Sequence, residues 1–206
     1  MSSISIIGSG KMGGAIAEVA TRAGAHVQIL KRSAGSMSAA RPGFDCGVVG
    51  DELTGDLVVL AVPYSAYPGI LEHYRDRLAD KVIIDISNPI DFSTYDALTS
   101  PADSSTAAEL ATLLPEGTAV VKAFNVNLGD TLVSGTNGIA ATTVLYAGDY
   151  ADAKVRVAAL IEAAGMRAVD VGPLTRAREL EAMGFLQIIM AALGKTRYES
   201  GFALLP

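Results

Sequence analysis

Near its start the chain reads Gly8-Ser9-Gly10-Lys11-Met12-Gly13-Gly14, the segment whose residue types and spacing point most directly to chemistry. In a glycine pattern of this kind Gly8 permits a tight turn out of a strand. Gly10 lets backbone approach a pyrophosphate with no Cβ in the way, and Gly13 lets the following helix sit close to the strand. The start of that helix offers unpaired N–H groups and a partial positive charge, which suit phosphate oxygens. A bare pattern of glycines also occurs in flexible turns. Here the β-rich Ile4 to Ile7 precedes it, the helix-like Met12 to Ala23 follows, and a second β-rich run starts at His26, all within about 30 residues. Gly8, Ser9, Gly10, Lys11, Met12 and Gly13 are therefore expected to hold a dinucleotide.

The end of the second β-rich run bears on which dinucleotide it is. Binders of NAD usually place Asp or Glu about 20 residues beyond the loop, to hydrogen-bond the ribose 2′-hydroxyl. This chain has Lys31-Arg32-Ser33 instead. A guanidinium at Arg32 can form charge-assisted bonds to a 2′-phosphate, Ser33 can add a hydroxyl, and Lys31 supplies a point charge. The alternative is a solvated loop with accidental charges. With the acidic residue absent where the basic trio stands, NADP is the expected cofactor.

Three further segments end β-rich runs, and in open α/β sheets ligands bind at strand ends. They are Ala61-Val62-Pro63-Tyr64, Asp85-Ile86-Ser87-Asn88-Pro89 and Val121-Lys122-Ala123-Phe124-Asn125. Taken singly they read as an ordinary strand end, an Asn-Pro turn and a core aromatic. Together they suggest a pocket for nicotinamide and substrate. Ala61, Val62, Pro63, Asn88 and Pro89 would line it, and Asn88, Phe124 and Asn125 would position the reacting rings. No covalent nucleophile, acid–base pair or metal site stands out. His26 and His73 read as structural or surface residues, and the single Cys46 reads as a small core hydrophobe that can form no internal disulfide.

These residues need a scaffold, and the pattern around them supplies one. Besides Ile4 to Ile7, β-rich runs occupy His26 to Leu30, Asp56 to Val62, Lys81 to Ile86, Ala119 to Phe124, Thr142 to Ala147 and Arg167 to Val171. Helix-like stretches at Ala66 to Leu78, Thr106 to Leu113 and Ala151 to Ala163 alternate with them, as crossover helices do between parallel strands. Leu57-Val58-Val59-Leu60-Ala61-Val62 is apolar at consecutive positions, which implies helices on both faces. The expected fold is α/β, a doubly wound Rossmann-type, mainly parallel sheet with a small C-terminal α/β appendage. Residues 1–145 would be the NADP-binding domain and 146–206 a small part serving substrate or dimerisation. Asp91 to Ser105 reads as a surface loop leading to a helix capped near Ser104 or Ser105. Arg176 to Leu193 reads as a last helix, with Gly194 as its stop.

Composition removes other classes. A net charge of −6 on 206 residues argues against nucleic acid as a partner. No apolar run approaches the roughly 18 to 20 residues that span a bilayer, so no membrane partner is expected. The start of the chain reads as a first strand rather than a signal peptide, and a cytoplasmic setting follows.

Gly8 to Gly14, Lys31 to Ser33, Ala61 to Pro63, Asp85 to Pro89, Val121 to Asn125 and Asp170-Val171-Gly172-Pro173-Leu174, with Ala177-Arg178 and Leu180-Glu181 following, resemble the NADP-dependent coenzyme F420 oxidoreductases over nearly the whole chain. The resemblance implies an NADP-binding Rossmann domain, a C-terminal part that helps form a deazaflavin pocket, and a homodimer. The reaction it implies is hydride transfer between NADP(H) and coenzyme F420. The same domain family includes ferric and flavin reductases, and Met183 to Pro206 departs from the pattern of deazaflavin-using members. A related flavin-like acceptor, a flavin, ferric or small-molecule reductase, and a non-catalytic NADP(H)-sensing protein stay open.

Overall fold

A computed structural model describes residues 2–33, 44–91 and 93–204. Its centre is an eight-stranded sheet in the order β10-β9-β6-β5-β4-β1-β2-β3. The strands are β1 (Ser3–Ile7), β2 (His26–Lys31), β3 (Phe44–Val48), β4 (Leu57–Leu60), β5 (Val82–Asp85), β6 (Ala119–Ala123), β9 (Thr143–Gly148) and β10 (Arg167–Asp170). A two-residue pair, β7 (Thr136–Asn137) and β8 (Ala140–Ala141), forms a separate hairpin. The helices are α1 (Lys11–Arg22), α2 (Tyr67–Tyr74), α3 (Thr106–Leu113), α4 (Gly129–Ser134), α5 (Ala151–Ala163) and α6 (Ala177–Ala192).

Consecutive apolar residues of the central strands serve opposite faces, as the period of two requires. Leu57 and Val59 join Ile4 and Ile6 in a core covered by α1 and α5. Val58 and Leu60 join Ile7 and Ile83 in a second core covered by α2 and α3, where Ala177 at the start of α6 also packs. The expected doubly wound architecture is therefore present. At the entry to α3, the Ser105 hydroxyl accepts from the Ala108 N–H at 3.1 Å, an N-cap of the expected kind.

Several features differ from the sequence reading. The parallel order holds from β3 to β6, but β9 runs antiparallel to β6, with Ala123 opposite Tyr146, and β10 is parallel to β9. The connection from β6 explains the reversal. It makes α4 and the β7–β8 hairpin without crossing back to the end of the sheet at which β6 began, so the chain re-enters from the end at which β6 left. The boundary drawn between residues 145 and 146 falls inside β9, and the apolar side chains of β9 and α5 belong to the same core as those of β1 and α1. Strand β3 was missed because Phe44-Asp45-Cys46-Gly47-Val48 lacks a β-branched run, and its place at the sheet edge demands less. Cys46 lies on that edge strand and is only half-buried, rather than in the core. The helix expected to reach Leu78 turns into a tighter 3₁₀ segment at Arg75–Leu78.

Candidate active site

The glycine loop connects β1 to α1 as its sequence requires. Gly8 has φ of 116°, a left-handed conformation that costs glycine little, and a Cβ there would collide with the carbonyl of Ala61. A Cβ on Gly13 would collide with the Gly8 carbonyl, so this residue sets how closely α1 packs on the strand. Gly10 differs from both, because a Cβ there would meet nothing within 4 Å. Its space is open on the side where a ligand would lie. Helix α1 starts at Gly10 with no side-chain cap and no acidic residue in its first turn, leaving its leading N–H groups to whatever anion approaches.

A cavity of about 630 Å³ extends from this loop across the ends of β1, β2 and β4. Among the predicted residues Gly8, Ser9, Gly10, Arg32, Ala61, Val62 and Pro63 line it. Arg32 is exposed and makes no hydrogen bond or ion pair within the described residues, so its guanidinium is available to an anionic ligand. The cavity also takes in Gly69, Ile70 and His73 of α2. His73 is the site-lining residue that sequence reading set aside, and only the packing of α2 beside β4 brings it there.

Other predicted residues lie elsewhere. Lys31 is buried and, with Ser9, Lys11 and Cys46, lines a second cavity of about 460 Å³ rather than the one holding Arg32. Lys11 forms an ion pair with Asp130 at 2.9 Å and so ties α1 to α4. Met12 turns its side chain to the core. Ser33 is exposed beside residues 34–43, which are outside the described set.

The ends of β4, β5 and β6 open on one edge, as expected. There Asn88 and Asn125 bind each other. The Asn88 Nδ2 donates to the Asn125 carbonyl at 2.8 Å, and the Asn125 Nδ2 donates to the Asn88 Oδ1 and the Leu180 carbonyl, both at 2.9 Å. Helix α6 closes over the pair at Gly184, where a Cβ would come within 2.7 Å of the Asn125 carbonyl. Pro89 is buried beside Asn88. Phe124 is wholly buried, so its ring packs in the core of the α1 face and offers no surface to a ligand. Its φ of 63° is unusual for a bulky residue, a strain of roughly 1 to 3 kcal/mol that the surrounding packing sustains.

Directly beneath these strand ends is a charged cluster with no exposure. Asp85 and Lys122 face each other in register across β5 and β6, and the Lys122 Nζ donates to the Asp85 Oδ2 at 2.9 Å. The same ammonium donates to the Glu181 Oε1 at 2.8 Å and to the Ser87 carbonyl at 2.5 Å. Thr106 donates its backbone N–H to Glu181 at 3.0 Å and its hydroxyl to the same oxygen. The Tyr67 hydroxyl and the Ser87 N–H donate to Asp85. Burial alone would raise the Asp85 carboxyl, but the Lys122 charge and these donors outweigh it and hold it below the usual carboxylate range. Burial, reinforced by the Asp85 charge, pushes the Tyr67 phenol well up. Tyr64, edge-on to Tyr67 at 5.2 Å, donates to Glu109, and burial with that bond raises it to about 12.

Sequence comparison assigns the nucleotide-binding part. Residues 3–89 match the model of the family described as NADP oxidoreductase, coenzyme F420-dependent. The F420-dependent NADP reductase of Methanothermobacter thermautotrophicus is 34% identical over 149 residues, covering 70% of this chain and 64% of the relative. Residues 3–89 thus carry the domain of the coenzyme F420-dependent NADP oxidoreductase family. The metalloreductase STEAP3 of Rattus norvegicus is 37% identical over 118 residues, covering 54% of this chain and 23% of the relative. The chain therefore spans less than two thirds of either curated relative. A solved structure from Arthrobacter sp. FB24, assigned to F420-dependent NADP reduction, superposes with a TM-score of 0.86 at 24% identity and full coverage of both chains, which establishes the fold.

NADP is the cofactor of this family, and the site fits it: a glycine turn, an uncapped helix start, open space at Gly10 and an Arg32 with no partner among the described residues share one cavity. Lys122 and Glu181 were part of the motifs that pointed to the F420-dependent family, yet no role was read for them. The signal was there for Lys122, since a charge within the apolar run Val120-Val121-Lys122-Ala123 must find a partner when the strand is buried. Nothing local in the sequence names Glu181 as that partner.

Proposed function

We propose that this chain transfers a hydride between NADP(H) and a deazaflavin of the coenzyme F420 type, or a related flavin-like acceptor. The observation that carries the reading is the single cavity that joins the Gly8–Gly10 loop and Arg32 to Val62 and Pro63 at the strand ends. The backbone at the start of α1 would hold the pyrophosphate, and Arg32 with Ser33 the 2′-phosphate. Bound NADPH supplies a hydride at its nicotinamide C4, and reduction of the acceptor ring is completed by a proton from solvent. The chain's own part is positioning: Val62, Pro63 and Pro89 exclude water, while the Asn88–Asn125 pair shapes the edge against which the rings stack. The Oδ1 of Asn125, buried without a partner among the described residues, is suited to accept from an amide.

Residues 1–145 would bind NADP, and 146–206 would complete the acceptor side. Leu186, Leu193 and Phe202, exposed on and beyond α6, support a homodimer, which sedimentation would reveal. The setting is cytoplasmic in this reading; among the described residues no helix is long and apolar enough to cross a membrane. The resemblance to a metalloreductase favours a second reading, a flavin or ferric reductase.

The test follows NADPH absorbance with a deazaflavin, a flavin and a ferric chelate in parallel. Deuterium from C4-labelled NADPH should appear in the reduced deazaflavin, with none from solvent at that carbon. Turnover only with flavin or ferric chelate selects the second reading. NADPH binding without turnover of any acceptor makes the protein a sensor.

A further inference from the structure

Asp85 and Lys122 are adjacent in register on neighbouring strands and would pair without help from elsewhere. Glu181 is different, because it arrives on α6, 59 positions after the lysine it binds. Its carboxylate takes bonds from Lys122 and from both donors of Thr106, and Ser100 of the loop before α3 approaches its other oxygen at 3.5 Å. Buried Leu180, Glu181 and Gly184 share one face of α6, as helical spacing requires. On that face Leu180 accepts from Asn125, and Gly184 presses on Asn88 and Asn125. An ionic anchor and a glycine contact thus lie one turn apart on the same face.

We propose that Glu181 is a positioning residue: by binding Lys122 and Thr106 it holds α6 against the strand ends, so that Gly184 closes the acceptor side of the site over the Asn88–Asn125 pair. This rests on the acceptor-side reading above. It does not concern the dinucleotide cavity, to which no residue of α6 contributes. Loss of the anchor should therefore separate the two halves of the site.

The variants are Glu181→Leu, which removes the bonds to Lys122 and Thr106, Glu181→Gln, which keeps an acceptor oxygen, and Gly184→Ala, which pushes α6 outward with the anchor intact. With the acceptor found for the wild type, Glu181→Leu and Gly184→Ala should raise acceptor KM by about tenfold or more and leave NADPH Kd within about twofold. Glu181→Gln should recover turnover to within about threefold of wild type. Hydrogen exchange of residues 177–192 should quicken in Glu181→Leu, while that of residues 3–31 stays unchanged. Parallel loss of NADPH binding, wild-type behaviour of Glu181→Leu, or Glu181→Gln as impaired as Glu181→Leu would overturn the proposal. If Glu181→Leu does not fold, Gly184→Ala and Glu181→Gln decide it by the same criteria. If the wild type turns over no acceptor, the proposed function fails, and the exchange pattern alone decides the anchor.

Discussion

The two halves of the site are built differently. The dinucleotide half is local: Gly8, Gly10, Gly13 and the start of α1 lie within one turn and one helix, and Arg32 follows at the end of the next strand. The strand-end half is assembled over long separations, with Thr106 and Glu181 75 positions apart and Asn88 and Asn125 37 apart. A backbone site of the first kind tolerates many side chains nearby and few changes of glycine. A side-chain cluster of the second kind depends on each member, because removing one leaves the others buried and unpaired.

The largest expected effect tests that dependence. Lys122→Met leaves Asp85 and Glu181 buried with no cation between them, and should destabilise the fold by about 3 to 5 kcal/mol in denaturant unfolding. A loss below about 1 kcal/mol would mean that the cluster relaxes as freely as a surface site, and the contrast between the halves would collapse.

Gly10→Val probes the local half. The open space at Gly10 allows the fold to persist, while the new side chain occupies the ligand's place. NADPH affinity should fall by at least about a hundredfold, roughly 2.8 kcal/mol, with thermal stability nearly unchanged. Undiminished binding by calorimetry would move the cofactor elsewhere.

Arg32→Ala sharpens the assignment of the cofactor. It should weaken NADP(H) by roughly 1.5 to 3 kcal/mol, the scale of a hydrogen bond to a charged group, and barely alter NAD(H). Equal losses for both would remove the 2′-phosphate from Arg32.

The smallest effect is in the pH dependence of stability, and its two ends have opposite signs. Asp85 titrates below its unfolded value, so its contribution is present above about pH 4 and is lost as pH falls through the lower folded value. Tyr64 is raised from 10.0 to about 12, so its contribution is present below pH 10 and is lost as pH rises toward 12. Tyr64→Phe should flatten only the alkaline limb of melting temperature against pH. A flattened acid limb would assign the acid dependence to the wrong side of the cluster.

Much of this protein was legible before folding was considered. The glycine spacing, the basic residues after β2 and the consecutive apolar strands each obey a short-range rule, and each led to an element or a cavity-lining residue close to where it was expected. Arg32 and Lys31 show where such rules stop. They are adjacent in sequence, yet alternation along a strand sends one to the dinucleotide cavity and buries the other beside a different one. Phe124 shows it again, since its motif placed it at the site while packing took its ring into the core. The sequence by itself determined the dinucleotide loop, the alternation of strands and helices, and the absence of an acidic residue where NAD binders carry one, because those features act between near neighbours. Tertiary structure alone decided the reversal of β9, the entry of His73 into the cavity and the meeting of Asp85, Lys122 and Glu181. The physical reason is that a buried charge fixes only the need for a partner, while the partner's identity depends on which distant segment packs against it.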